Sequence, residues 1–372
     1  MREDFHYYAT YCAALLSGYT HEESMDICYG SQFTDLCSKT LLTKMKASPE
    51  AATTQLQLEL MDARTDIIGL QDITRIWASF HFLPRDLNAV KEKRSKIYMN
   101  KYRLICGPNG DLVKRTVELA KERSLPAVGL AMHVLADTWA HRYFAGTPSL
   151  VINNTNDEFY ELLSLEDDPE KETERKIKFR HSPSAPDEPE KSIYTNSVRQ
   201  SSENSIMNLG HGRAGHLPDY SFVRYRYLPA WDDYKMMIKD NPSDYFSAFC
   251  QMIYAMKYLR GSIDIFETDH YDTGTVEEYK ERIERIIRKR QLSASEDWKA
   301  FGEELSGREI EPFDINRYQE EYINASKDEK NETYIGKFIT AAISQKGMVS
   351  DQIFKTGSKL VGFVQAMVKT YD

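Results

Sequence analysis

Between residues 126 and 144 the chain runs through Gly129-Leu-Ala-Met-His133-Val-Leu-Ala-Asp137-Thr-Trp-Ala-His141, an apolar stretch in which a polar residue returns at every fourth position. At about 100° per residue, positions i, i+4 and i+8 drift by only about 40° per step. His133, Asp137 and His141 therefore form one polar row on an otherwise apolar helix, with Pro126 near its start and Gly146 just past its end. A helix of this composition is buried, and burying such a row is costly unless each member finds a partner. The fold must supply either a metal ion, which suits imidazole nitrogen and carboxylate oxygen at this spacing, or a satisfied His–Asp core hydrogen bond.

The rest of the chain reads as helical. Gly 18 and Pro 13 in 372 residues are too few turn formers for a sandwich or barrel of many short strands. The expectation is an all-α fold, a multi-helix bundle with a metal cluster in a cleft. Helical patterns cover 5–16, a second helix after the possible capping box Thr20-His-Glu-Glu23, then 51–70, 110–123, 126–144 and 243–259. Residues 153–204, with Glu-Asp-Asp-Pro-Glu and Ser-Pro-Ser-Ala-Pro, look too polar to build a core and are expected to be a long insertion or mobile loop. Charged helices are expected at 276–290 and 314–326, followed by a mildly amphipathic end at 335–371. The expected division is a helical metal-binding core over 1–262, carrying the insertion, and a helical C-terminal extension over 263–372 packed on it.

A net charge of −9 opposes a broad grip on duplex nucleic acid. No apolar run is long enough to cross a bilayer. The opening Met1-Arg-Glu-Asp has the wrong charge order for a secretory signal, so a cytoplasmic protein is expected, with export by a signal-independent route left open. Five scattered cysteines without a C-x-x-C pair read as reduced core thiols.

A second group of candidate ligands is His211-Gly-Arg-Ala-Gly-His216-Leu-Pro-Asp219, where glycines permit a tight backbone path. The competing reading is a glycine-rich turn with exposed histidines. His6, Asp35 and His81 are each flanked by aromatic or apolar residues that would shield a site; singly, each also suits a core position. His21, His181 and His270 carry no assigned role. The phosphate loop, the dinucleotide glycine fingerprint, the nucleophile elbow and H-E-x-x-H are all missing from the sequence.

An early His, an Asp at the end of the next helix, a lone His, His-x-x-x-Asp on a long helix and a later His cluster form an ordered set. In this order the chain resembles the superfamily of zinc-dependent phospholipase C and single-strand-specific zinc nucleases, and looks closest to a bacterial branch of it. The resemblance covers about residues 4–230 in scattered motifs. It implies a mostly helical fold holding two or three Zn2+ ions that cut phosphate esters. It also implies that His6, Asp35, His81, His133, Asp137, His141, His211 and either His216 or Asp219 hold metal, with Asp137 bridging two ions. In the secreted enzymes of that superfamily the free N-terminal amino group is a ligand. Here five residues precede His6, so the resemblance leaves one ion differently held or absent. The late motif also departs, because Gly215 stands four residues after His211 and Asp219 only three after His216.

The expected activity is zinc-dependent hydrolysis of a phosphate ester, as a phospholipase C or a nuclease-like phosphodiesterase, with a metal-bridged hydroxide as nucleophile. Asp35 and Asp137 are the expected catalytic carboxylates. Arg213, Phe33, Phe82, Trp139 and Tyr143 are candidate substrate contacts by their closeness in sequence to ligands, Arg213 as a phosphate clamp. The expected substrate is a small phosphoester or phospholipid head group. The competing class is a non-catalytic, zinc-stabilised interaction module that engages a protein through the C-terminal helices.

Overall fold

The computed structural model describes residues 1–165, 168–180, 185–196 and 206–362. His181 lies outside them, as do parts of the expected insertion and the last ten residues. A π-helical turn, Asp4–Ala9, leads directly into α1 (Thr10–Leu16). The helix α2 (His21–Leu36) starts at the expected capping box: the Glu23 amide donates to Thr20 Oγ1 at 3.2 Å and the Thr20 amide to Glu23 Oε2 at 2.8 Å. The 51–70 pattern resolves into a short helix, Gln57–Ala63, and α3 (Ile67–Phe80), which Asp66 caps by accepting from the Gly69 amide. Then come α4 (Asp111–Ala120) and α5 (Leu125–Ala140).

The helix α5 is the axis of the fold, buried at every residue from Pro126 to Ala140. α2, α4, α6 (Asn241–Leu259) and α9 (Tyr334–Lys355) pack around it. At the α2 crossing a Cβ on Gly129 would fall on the Ile27 carbonyl oxygen, so only glycine lets the backbones meet this closely. That approach carries Asp35, in the last turn of α2, to the polar row of α5. The later helices α7 (Lys280–Arg288), α8 (Ser295–Ser306) and α9 share the same core: Phe5 meets Trp298 edge-on at 6.2 Å and Phe33 meets Phe338 at 4.9 Å.

The fold is not all-α. A four-stranded antiparallel sheet has the order β2 (Asp168–Lys176), β1 (Tyr160–Leu165), β5 (Arg224–Tyr227), β6 (Met237–Asp240). A parallel pair joins β3 (Lys178–Arg180) to β4 (Ile193–Thr195). Much of the expected loop is therefore paired strand. A strand needs only one apolar face: in the neighbouring β5, Arg224-Tyr-Arg-Tyr227, the tyrosines turn inward and the arginines outward. Arg226 then forks onto Glu174 of β2 at 2.7 and 2.6 Å. Tyr225 and Tyr227 pack with Phe159, Ile177 and Tyr194 in a second, smaller core, which Phe82 and Phe144 join from the helical side. Among the described residues no helix is long and apolar enough to cross a membrane.

Candidate metal centre

The seam between the two cores holds the polar side chains. His6 comes from the π-helical turn, Asp35 from α2, His81 from the residue capping α3, His133 and Asp137 from α5, and His141 from its C-cap. His211 stands in a turn and Asp219 closes the short 3-10 helix Leu217–Asp219. The turn depends on Gly210 and Gly215, both left-handed, at φ +55° and +57°.

Three triads offer ligand atoms within 4.8 Å of one another: His6, His133 and Asp137; Asp35, His81 and His133; His141, His211 and Asp219. Asp137 is their hub. Its Oδ1 lies 3.2 Å from His6 Nε2, and its Oδ2 lies 3.2, 3.3 and 3.5 Å from His81 Nδ1, His133 Nε2 and His141 Nδ1. Asp35 Oδ1 is 3.6 Å from His81 Nδ1 and 3.9 Å from His133 Nε2. Asp219 Oδ1 is 3.2 Å from His141 Nε2 and 3.6 Å from His211 Nε2. Ligands bound tetrahedrally at about 2.1 Å stand about 3.4 Å apart, which is the spacing found here.

The outer nitrogens are anchored on backbone. His81 Nε2 meets the Thr53 carbonyl at 3.0 Å, His141 Nδ1 the His81 carbonyl at 2.7 Å, and His211 Nδ1 the Gly215 carbonyl at 2.7 Å. A carbonyl only accepts, so each of these nitrogens is the donor and the opposite nitrogen of each ring is the one left for the cluster. Phe82 backs this arrangement, stacked on His141 with centroids 4.7 Å apart.

Hydrogen bonding alone does not satisfy the cluster. Both nitrogens of His6 and Nδ1 of His133 are buried without a hydrogen-bond partner. His6 Nε2 is close to Asp137 yet not aligned to bond it, as expected of donors aimed at a common centre. A closed His–Asp core network would leave no such orphans. The residues present fit a divalent cation of borderline softness: imidazoles and carboxylates with no thiolate among them.

The structure adds a group that sequence reading left out. The buried α-amino group of Met1 donates to Asp137 Oδ1 at 2.7 Å, and lies 3.2 Å from His141 Nε2 and 3.5 Å from Asp219 Oδ1. Met1 precedes the turn that carries His6, whose amide bonds to the Arg2 carbonyl at 2.9 Å. Burial opposes the charge on the Met1 amine, but Asp137, Asp219 and Asp35 outweigh that and raise its pKa to about 10. Burial lowers His6, His133 and His211 to about 4, so these rings are neutral at pH 7. Burial also works against the charge on Asp137 and Asp219. The neighbouring imidazoles and the Met1 ammonium nevertheless hold both carboxyls well below the usual range.

The remaining candidates separate. His216 stands outside the triads with its side chain 60% exposed, its Nδ1 3.1 Å from Asp219 Oδ2, a bond that raises its pKa. Phe33 is buried between Tyr29 and Phe338, and Trp139 donates Nε1 to Gln251 at 2.7 Å in the core. Each lies two residues from a ligand, about 200° around its helix, and so faces away. Tyr143 lines a separate cavity with Arg85, Arg142 and Trp231. Arg213 donates Nη2 to Asn208 at 3.2 Å. Only Phe82 touches ligand rings, and it supports them from behind.

Residues 1–353 match a family of unknown function, DUF6765. The chain belongs to this family. No curated protein and no solved structure matches it.

Proposed function

We propose that this member of DUF6765 is a metal-dependent phosphate-ester hydrolase that holds two or three zinc ions in the seam between its cores. The observation that carries the reading is the meeting of three ligand triads around one buried carboxylate, Asp137. Its support is the donor chemistry, the orphaned imidazole nitrogens and the motif order that resembles the zinc phospholipase C and nuclease superfamily. His6 with His133, Asp35 with His81, and His141 with His211 and Asp219 would hold the ions. Asp137 is the shared carboxylate, and the Met1 amine, once deprotonated, is a further donor. Bound there, such ions supply Lewis acidity, acidifying water and offsetting the charge that develops on a phosphoryl group.

The chain's own residues do the rest. Asp35 is the most exposed carboxylate of the triads, its side chain 27% exposed. A carboxylate oxygen so placed would accept a proton from an attacking water. Phe82 excludes water behind His141, and the carbonyls of Thr53, His81 and Gly215 keep three rings from turning. The five cysteines are buried and unpaired, which suits the reducing cytoplasm.

The test is metal analysis of the purified protein, followed by a panel of a synthetic phosphodiester, phosphatidylcholine and single-stranded DNA, with and without chelator. At least two ions per chain and chelator-sensitive turnover are expected. Asp35→Asn should retain the fold and lose activity by a factor of about 100 or more. One ion and no cleavage of any substrate would replace this reading with the zinc-stabilised interaction module.

A further inference from the structure

Away from the metal seam, one face combines exposed aliphatic side chains with basic ones. Residues 85–103 carry seven Lys or Arg against two acids, in a chain whose net charge is −9. Val90 is 76% exposed and Ile97 73%. The short helix Lys96–Tyr102 lies beside Leu150–Asn153, which in turn packs on Ala230–Asp232. Bonds tie these segments into one surface: Tyr98 Oη donates to the Trp231 carbonyl at 3.0 Å, and Asn154 Nδ2 to Tyr234 Oη at 3.1 Å. Met236, 62% exposed, stands two residues after Tyr234 in the same segment.

Two acids of this face, Asp232 and Asp233, are engaged. Lys91 pairs with Asp233 at 3.1 Å and with Asp232 at 3.7 Å, and Arg94 also pairs with Asp233. Lys93, Lys96 and Lys235 are exposed and make no ion pair among the described residues. Against these three lysines stands Glu92, exposed and without an ion pair among the described residues, so the face is net positive around its projecting aliphatic groups.

From this juxtaposition we infer that the face docks the protein on an anionic lipid bilayer, with Val90, Ile97 and Met236 entering the headgroup boundary and the lysines facing acidic headgroups. Aliphatic groups gain by leaving water only where an apolar medium receives them, and lysines gain near a negative surface potential; a bilayer of acidic lipid offers both together. A single-stranded nucleic acid would satisfy the lysines but prefers rings for stacking over valine, isoleucine and methionine. The inference is independent of the hydrolase reading, since it concerns binding alone.

The experiment is co-sedimentation of the full-length protein with phosphatidylcholine vesicles, with and without about one-third phosphatidylserine. Binding is expected only to the acidic vesicles, and it should weaken as salt rises from about 0.1 to 0.5 M. Val90→Ser with Ile97→Ser should bind at least about tenfold more weakly, through lost insertion. Lys93→Glu with Lys96→Glu should abolish the preference for acidic lipid. All four sites are exposed, so both variants should keep the wild-type circular dichroism spectrum. Equal partitioning onto both vesicle types, or wild-type binding by either variant, overturns the inference. So does binding to a single-stranded oligonucleotide that needs the lysines but not the aliphatic pair. A concentration-dependent dimer that the serine variant abolishes would instead assign the face to a second copy of this chain.

Discussion

His133 and Asp137 stand on a helix buried along its whole length, whereas His211 and Asp219 come from a glycine-dependent turn beside a small sheet. In the helical half, the ligands hold their positions because α2, α4, α6 and α9 hold α5. Asp137 could move only by unpacking the core. In the turn, position depends on a few local bonds, such as His211 Nδ1 to the Gly215 carbonyl, and the side chains reach solvent: His211 is 18% exposed and Asp219 9%. The helical half therefore resembles a preformed socket, while the other half closes it with a piece that can yield.

The largest effect that would sharpen this contrast is expected at Asp137. Asp137→Asn removes the charge that compensates the buried Met1 ammonium and leaves it at most a neutral amide oxygen in place of the carboxylate it meets at 2.7 Å. Stripping one member from a buried pair costs about 3–5 kcal/mol, so the chelator-treated variant should lose about that much in denaturant unfolding. It should also purify with no stoichiometric metal, because all three triads meet this carboxylate or its neighbours. Wild-type stability together with full metal content would show that Asp137 is not the hub.

Asp219→Asn comes next and probes the yielding half. Its carboxylate also faces the amine, but at 3.5 Å and nearer to solvent. The expected cost is about 1–3 kcal/mol, that of an acceptor only partly replaced. If the proposed ions are bound, elemental analysis should show loss of the one assigned to His141 and His211, while those assigned near His133 remain. Simultaneous loss of every ion would mean that the two halves form a single cooperative cluster and would break the comparison.

The contrast also governs how much could be read from the chain. The polar row of α5 was legible because a 3.6-residue period is a property of sequence, and the Thr20 capping box for the same reason. His6, Asp35 and His81 stood out only jointly, through the order of motifs, since each alone suits a core position. The Met1 amine has no letter of its own: its place beside Asp137 comes with the π-helical turn Asp4–Ala9 that follows it. The sheet escaped because β2 reads Asp-Pro-Glu-Lys-Glu-Thr-Glu-Arg-Lys, a solvated composition, and β5 is four residues long. The alternation of Arg224-Tyr-Arg-Tyr227 was the available signal, and its two buried tyrosines carry what a longer apolar strand would have. Phe33 and Trp139 show the opposite error, where nearness in sequence to a ligand was read as nearness in space.

The smallest expected effect is at His216, and it tests where the yielding half ends. The resemblance leaves His216 and Asp219 as alternatives for the last ligand. The structure separates them: Asp219 presents Oδ1 to His141 and His211, while His216 approaches from the other side and bonds Oδ2. With its side chain 60% exposed, His216 gains little from burial, and water can replace its bond to Asp219. His216→Ala should therefore leave the metal content unchanged and shift stability by no more than about 0.5 kcal/mol. Any loss of turnover in this variant would then come from the lost imidazole and not from a missing ion. If one ion is lost instead, as measured by elemental analysis beside Asp219→Asn, the turn rearranges when metal binds and brings His216 inward.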